Sequence, residues 1–229
     1  MDDHTVESTL AACERTLAAD AAIDLKSSGF WRAVAAVKRR PDLVARFADQ
    51  IARIDRAAFE RSVPLRIGAS LGVAVLAAGA AVGLAILTIA PRLEHPLRDL
   101  AVLAGAGALD AVTHGLAHVI VGATMGIRFT HAFVELPRKP QPGFKIDYAT
   151  YLRTPARARA WMHASGAIAT KLTPFAVLLY ALAIGTDLWA IAVLAALGAL
   201  QIATDLLLSA KASDWKKFDR EMKLARDAP

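Results

Sequence analysis

The stretch GALDAVTHGLAHVIVGATMG, residues 107–126, decides the fold. It is apolar enough to lie in a bilayer, yet it carries Asp110, His114 and His118 at intervals of four residues. Four residues are close to one helical turn, so the carboxylate and the two imidazoles share one helix face. Ionisable groups inside a membrane helix are costly and usually have a function. The question is whether this face binds a metal ion, a haem or only a neighbouring helix.

The composition indicates a membrane protein with four spans. Of the 229 residues, 55% are hydrophobic, and the mean hydropathy is +0.39. A helix needs roughly 20 apolar residues to cross a bilayer. We therefore predict an α-helical polytopic membrane protein whose four transmembrane helices comprise residues 67–90, 100–126, 162–185 and 188–208.

The distribution of basic residues predicts the orientation in the membrane. Of the 27 Lys and Arg residues, 24 lie before the first span, between the second and third spans, or after the fourth. Only Arg92 and Arg98 lie in the loop between the first and second spans. The positive-inside rule predicts a multi-pass protein of the cell membrane with both termini in the cytosol. The sequence pI of about 9.7 then indicates contact with anionic lipid head groups, and we expect no nucleic-acid partner.

The segments outside the spans predict smaller structural parts. Residues 1–65 are expected to form a cytosolic helical unit, because their apolar residues recur at helical spacing. Residues 127–152 alternate apolar and polar residues on both sides of a Pro- and Gly-rich turn, which predicts a cytosolic β-hairpin with a solvated His131. The hairpin and the spans together form a core over residues 66–218, followed by a basic cytosolic tail over residues 219–229.

A glycine pattern near the start of the first span predicts close helix packing. The spacing GxxxG occurs there twice, and small residues on one face let two helices approach closely. This face is also a candidate contact for a homo- or hetero-oligomer. Its members are Gly68, Gly72, Gly79 and Gly83.

Polar residues from three spans are predicted to lie in one layer of the bilayer. The third span starts at the cytosolic side, so His163 lies at that boundary and Lys171 roughly 12 Å deeper, at 1.5 Å per residue. The fourth span ends at the cytosolic side, which places Asp205 within about one turn of its end. His114 and His118 occupy the cytosolic half of the second span. We expect His163 and Lys171 to line a site formed in this layer.

The two histidines of HGLAH can bind one metal ion, because residues at i and i+4 share a helix face. Asp110 lies one turn away, and we expect it to orient His114 by accepting a hydrogen bond from the second ring nitrogen. A catalytic-type tetrahedral zinc site needs a third protein ligand and one open position. We predict Asp205 as this ligand because of its depth, with Asp214 in reserve. The alternative is that both imidazoles are neutral and hydrogen-bonded within a helix bundle.

These features resemble the site-2 protease family of intramembrane zinc metalloproteases. That family has HExxH in one membrane helix, then a cytosolic β-rich stretch, then a helix with an Ala-Gly-Pro-x-x-Asn-like motif, and a later helix with an aspartate ligand. Here HGLAH, the predicted hairpin, RTPARARAWMHASGAIATK and QIATDLLLSAKASDW follow in the same order over residues 100–218. The resemblance implies that His114 and His118 are zinc ligands and that Asp205 or Asp214 is the third.

The chain departs from that family at the position of its catalytic glutamate, which is Gly115 here. Ala167 and Thr170 replace the proline and the asparagine, and the Leu-Asp-Gly around the aspartate is missing. The glutamate moves a proton between the zinc-bound water and the leaving amine, and its loss costs about 10²–10⁴-fold in rate. The resemblance therefore supports the fold and the metal more than proteolysis. Asp110 is the candidate substitute base.

We therefore expect a zinc-binding pseudoprotease that binds segments of membrane proteins. One alternative is an active intramembrane zinc metallopeptidase that uses a non-standard base. A second alternative is a non-enzymatic subunit of a membrane complex, in which His163 faces His118 across a haem. Metal analysis together with an optical spectrum separates these hypotheses.

Overall fold

The computed structural model describes residues 1–19, 23–135, 139–208 and 213–227, and it is mostly helical with one small sheet. The first helices and the first strand are α1 (Asp3–Ala18), α2 (Phe30–Val37), α3 (Pro41–Ser62), β1 (Arg66–Gly68) and α4 (Ala69–Ile89). A single 3₁₀ turn, Ala90–Arg92, follows α4. The remaining elements are α5 (Leu97–Thr124), β2 (Phe129–Glu135), β3 (Lys139–Ile146), α6 (Tyr148–Arg153), α7 (Ala156–Ala183), α8 (Leu188–Leu208) and α9 (Asp214–Asp227).

The chain divides into two compact units. The first, which we call the helix–sheet unit, comprises residues 1–69, 122–159 and 223–229. The second, which we call the apolar-helix unit, comprises residues 70–121 and 160–222. The predicted hairpin thus belongs to the same unit as the N-terminal helices.

Helix α3 provides the core of the helix–sheet unit. Pro41 stands at its first turn, where a missing N–H costs nothing. The apolar side chains that recur at helical spacing are all buried, which confirms the predicted amphipathic helix. They are Leu43, Phe47, Ile51, Ile54 and Phe59.

The predicted hairpin forms, and it gains a third strand. β2 pairs with β3 in antiparallel register, and β1 pairs with the other edge of β2. The turn residues 136–138 lie outside the described residues. The sheet contacts α3 through Lys145, whose ammonium group lies 2.6 Å from the buried carboxylate of Asp55. Burial raises the pKa of Asp55, although the charge of Lys145 opposes this shift.

His131 on β2 is less exposed than a solvated hairpin residue would be. Its side chain is 21% exposed, and its ring lies 5.8 Å from that of Phe59. The reason is that β2 is the central strand of the sheet and turns this side chain towards α3. His131 is thus partly exposed and partly covered by α3.

Within the described residues, four helices are long and apolar enough to cross a membrane, as predicted. They are Ala69–Arg92, Leu97–Thr124, Ala156–Ala183 and Leu188–Asp205. Each begins or ends within six residues of its predicted span. Large apolar side chains stay exposed on all four, for example Val75, Leu100, Leu179 and Leu200, as expected of helices that face lipid.

Glycines bring α4 and α5 together within the apolar-helix unit. A methyl group on Gly79 would lie 2.9 Å from Val112, and one on Gly83 would lie 3.0 Å from Leu109. Gly105 on α5 has a similarly close contact, with Leu87. Two of the four glycines of the predicted face therefore serve packing inside this unit.

Candidate metal centre

Two histidines of α5 and one aspartate of α9 bring three ligand atoms together. The Nε2 atoms of His114 and His118 are 3.2 Å apart. Asp214 Oδ2 lies 3.3 Å from the first and 3.1 Å from the second. We call these three residues the triad. The i, i+4 spacing on one helix accounts for the pair of imidazoles, and Asp214 is the first residue of α9.

Hydrogen bonds on the far side of each imidazole fix which nitrogen carries the proton. His118 Nδ1 lies 2.7 Å from the carbonyl oxygen of Met162, which can only accept, so Nδ1 donates. His114 Nδ1 lies 3.0 Å from the hydroxyl of Thr170, which itself donates to the carbonyl of Gly166. That hydroxyl therefore accepts from His114. In a neutral imidazole with Nδ1 protonated, Nε2 has a free lone pair, and both lone pairs face the triad centre.

The carboxylate of the triad is ionised at neutral pH. Burial raises the pKa of Asp214, but hydrogen bonds from His114 and His118, which need a proton on Nε2 when no metal ion is bound, and the charge of Lys217 outweigh this effect. The pKa consequently lies well below its usual range. The ammonium group of Lys217 is 2.9 Å from Oδ1, the oxygen that does not face the imidazoles. Oδ2 is therefore available as a ligand atom.

The triad is partly shielded but can be reached from one side. The side chains of His118 and Asp214 are 17% and 14% exposed, whereas that of His114 is 43% exposed. His163 is buried nearby, and the charges of Lys217 and Asp214 act on it. It lines the surroundings of the triad without supplying one of the three converging atoms.

A glycine on α7 makes the position of His118 attainable. A Cβ atom on Gly166 would overlap the imidazole ring at Nε2, the ligand atom itself. Any other residue at this position would have to displace the ring. The close approach of α7 to α5 at this level thus depends on the missing side chain.

Asp205, which we expected to be the third ligand, lies in a different set of contacts. Its Oδ2 forms an ion pair with Lys171 and accepts a hydrogen bond of 3.0 Å from Trp215 Nε1. Both of these partners use the same carboxylate oxygen. The structure thus brings Asp214, the reserve residue, to the histidines and pairs Asp205 with Lys171.

Asp110 is also placed differently from our expectation. Its Oδ2 accepts a hydrogen bond of 2.9 Å from Gln201 Nε2 on α8. The role expected for Asp110, a partner for the second nitrogen of His114, is taken by Thr170.

A second group of His and Asp side chains joins two loops of the apolar-helix unit. His95 Nδ1 lies 3.1 Å from Asp99 Oδ2 and 3.4 Å from Asp187 Oδ2. Asp99 is fully buried, and its Oδ1 accepts the backbone N–H of Asp187 at 2.9 Å. We call these three residues the loop cluster. Among the described residues, the triad and the loop cluster are the two groups of three whose ligand atoms lie within 4.8 Å of one another.

Thr170, Gly166 and the Met162 carbonyl belong to the surroundings of the triad but were not predicted as parts of the site. A signal for the first two exists, because Gly166 and Thr170 are four residues apart on α7, the spacing of the two histidines on α5. At this spacing, the small residue leaves room for one imidazole of a facing helix, and the hydroxyl can accept a hydrogen bond from the other. Met162 acts through its main chain, for which the side-chain pattern gives no signal.

No protein-family model, no curated protein and no solved structure matches this chain.

Proposed function

We propose that this chain is an integral membrane metalloprotein in which His114, His118 and Asp214 hold one zinc ion. The observation that supports this most strongly is the triangle of ligand atoms, with sides of 3.1, 3.2 and 3.3 Å. Zinc binds imidazole nitrogen and carboxylate oxygen at about 2.0–2.2 Å in tetrahedral geometry. Two ligands of such a tetrahedron are about 3.3–3.5 Å apart. The triangle is therefore close to one face of a zinc tetrahedron.

The chemistry of the donor set supports the same proposal. Two imidazole nitrogens with free lone pairs and one ionised carboxylate oxygen repel one another unless a proton or a metal ion lies between them, and a zinc ion satisfies all three at once. Zinc ligands of this kind need a partner on their other side, which fixes the ring orientation and the tautomer. Thr170 and the carbonyl of Met162 supply these partners.

Three protein ligands leave one tetrahedral position for a further oxygen atom. When bound, zinc in such a site polarises a carbonyl group or activates a water molecule. The exposed side of His114 gives access to this position. We propose that it accepts an oxygen atom from a segment of another membrane protein.

We further propose that this segment is bound and not hydrolysed. Gly115 has no side chain, and it occupies the place where HExxH proteases have their general base. Asp110, our candidate substitute, forms a hydrogen bond with Gln201 one helical turn from His114. The resemblance to site-2 proteases in the order of segments therefore supports a pseudoprotease.

The orientation that accompanies this proposal has both termini and the sheet in the cytosol of a multi-pass cell-membrane protein. Its support is the excess of 24 basic residues over two between the two sides. A reporter fused to the C-terminus should be active in the cytosol. A reporter that is active only outside the cytosol would contradict the orientation.

An active metallopeptidase is the second candidate, and the open tetrahedral position favours it. The haem-binding alternative has weaker support. Both nitrogens of His118 already have partners, in Met162 and in the triad, so neither is directed at a haem shared with His163.

A cleavage and binding assay in liposomes separates these functions. The variants are wild type, Gly115→Glu and the double variant His114→Ala with His118→Ala, each assayed with transmembrane substrates. We expect zinc-dependent binding without cleavage in the wild type, slow cleavage at most in Gly115→Glu, and neither in the double variant. Robust wild-type cleavage that the double variant lacks would replace the pseudoprotease proposal with the peptidase. Equal binding by the wild type and the double variant would contradict both.

A further inference from the structure

Asp110 and Gln201 form a polar pair in the middle of the apolar-helix unit. Asp110 lies at the midpoint of the 28-residue helix α5, which the sequence marks as a membrane span. Gln201 Nε2 donates a hydrogen bond to Asp110 Oδ2. This contact joins α5 to α8, and it is independent of the triad.

The pair leaves two buried oxygen atoms without a donor. Among the described residues, Asp110 Oδ1 and Gln201 Oε1 are buried side-chain atoms with no hydrogen-bond partner. Both are acceptors, because an ionised carboxylate and an amide oxygen carry no proton. Buried acceptors without donors are rare, and each costs free energy in an apolar environment.

The negative charge of the Asp110 carboxylate also lacks a compensating partner. A carboxylate in an apolar layer needs a cation or a proton. One helical turn from the two members of the pair are His114 on α5 and Asp205 on α8, and Asp205 contacts Lys171 on α7. Lys171 and Asp205 already form an ion pair, and Nδ1 of His114 donates to Thr170. Within the described part of the chain, Asp110 forms no salt bridge.

We infer that Asp110 is a proton-binding site within the membrane: Oδ1 carries a proton at neutral pH and donates it to Gln201 Oε1. One proton then removes the negative charge and joins the two unpaired oxygen atoms in a hydrogen bond. The carboxylic acid and the carboxamide form two parallel hydrogen bonds, one in each direction. An alkali cation would need several more oxygen ligands than these two, and a water molecule would leave the charge unbalanced. The two oxygen atoms without a donor are therefore best explained by one proton between them.

This assignment makes the contact between α5 and α8 dependent on protonation. Loss of the proton would replace one hydrogen bond by a charge in an apolar layer. The bundle should then be less stable at high pH, because the folded state binds a proton that the unfolded chain releases.

Asparagine at position 110 provides a sharp test. Its carboxamide reproduces the protonated acid, because its Nδ2 can donate to Gln201 Oε1 while its Oδ1 accepts from Nε2. We expect Asp110→Asn to have the thermal midpoint of the wild type only at acidic pH and a higher midpoint than the wild type at neutral and alkaline pH, because the unfolded wild-type chain releases a proton there and Asn has none to release. The matched control is Asp205→Asn, which removes the charge that faces Lys171 and should lower the midpoint at every pH.

Infrared spectroscopy in lipid vesicles reads the proton directly. The wild type should show the carbonyl band of a protonated carboxylic acid, in sodium and in choline buffers alike. The band should be absent in Asp110→Asn and shifted to higher frequency in Gln201→Leu, which lacks the acceptor. Absence of the band in the wild type at neutral pH would overturn the inference, and a band seen only without sodium would assign the site to that cation. Both outcomes are independent of zinc, so they do not bear on the proposed metal centre.

Discussion

The triad and the loop cluster contain the same types of side chain but differ in what the imidazoles face. In the triad, both histidines direct Nδ1 to an acceptor outside the group and turn a free Nε2 towards the carboxylate. In the loop cluster, His95 turns Nδ1 itself towards the two carboxylates, where a proton on that nitrogen can be shared. The first arrangement is the one for which we propose a zinc ion, whereas the second is complete as a hydrogen-bonded junction.

The difference shows that composition and proximity do not identify a metal centre. In both groups, the nitrogen and oxygen atoms that could bind a metal ion lie within 4.8 Å of one another. The partner of the other ring nitrogen decides whether an imidazole is a ligand or a hydrogen-bond donor. In the loop cluster, both oxygens of Asp99 are already hydrogen-bonded, one of them by the backbone N–H of Asp187.

The largest expected effect concerns the aspartates of the two groups. Asp214→Ala removes a ligand and should weaken zinc binding by more than about 100-fold, since even the loss of an orienting partner costs 10–100-fold. Asp187→Ala removes a carboxylate of the loop cluster and should leave zinc binding unchanged. Competition with a zinc chelator measures both affinities. Equal losses of zinc affinity in the two variants would show that the triad is not distinguished from the loop cluster as a zinc site.

Gly166→Ala should distort the triad through packing alone. The added methyl group overlaps the ring of His118 and forces the side chain or α7 to move, at a cost of about 1–3 kcal/mol in stability. Gly107→Ala is the control, because a Cβ there has no neighbour within 4 Å and improves helix propensity. Thermal unfolding in detergent, with and without zinc, gives the measurement. A Gly166→Ala variant as stable as wild type, with full zinc affinity, would show that the close approach is unnecessary.

Thr170→Val should reduce zinc affinity by about 10–100-fold, because it removes the acceptor that orients His114. Thr173→Val is a matched change on the same helix. Its hydroxyl lies 3.2 Å from Thr113 and contacts no member of the triad. The same chelator competition measures both variants. If Thr173→Val weakens zinc binding as much as Thr170→Val, the effect belongs to the helix contact and not to the imidazole.

His95→Ala should have the smallest effect, a loss of about 1 kcal/mol in the free energy of unfolding. It removes the hydrogen bond to Asp99 at the start of α5 and the contact with Asp187, and no proposed ligand. Zinc affinity should remain that of the wild type. Thermal unfolding combined with chelator competition checks both expectations, and a fall in zinc affinity would place a metal ion at the loop cluster as well.

Hydropathy predicted the four apolar helices because their length and composition are local properties. Hydropathy predicted the helix bounds less accurately where charged residues lie inside a helix. The helix α7 begins at Ala156, six residues before the predicted span, because Arg157 and Arg159 lower the hydropathy without ending the helix. The strand β1 was missed because its three residues show no pattern by themselves and pair only with β2.

The two imidazoles were predictable as a pair, since residues at i and i+4 share a face whatever the rest of the chain does. The third member of the triad was not. Depth along a span favoured Asp205 but gave no information on the rotation of α8. Its carboxylate meets Lys171, and Asp214 comes from a helix outside the four spans. Which aspartate joins the two histidines depends on tertiary packing.

Zinc content tests the central claim most directly. Wild type, the double variant His114→Ala with His118→Ala, and His95→Ala are purified in detergent, dialysed against trace zinc and analysed by mass spectrometry of the metal. The account predicts about one zinc ion per chain in the wild type and in His95→Ala, and none in the double variant. Unchanged zinc content in the double variant would contradict it.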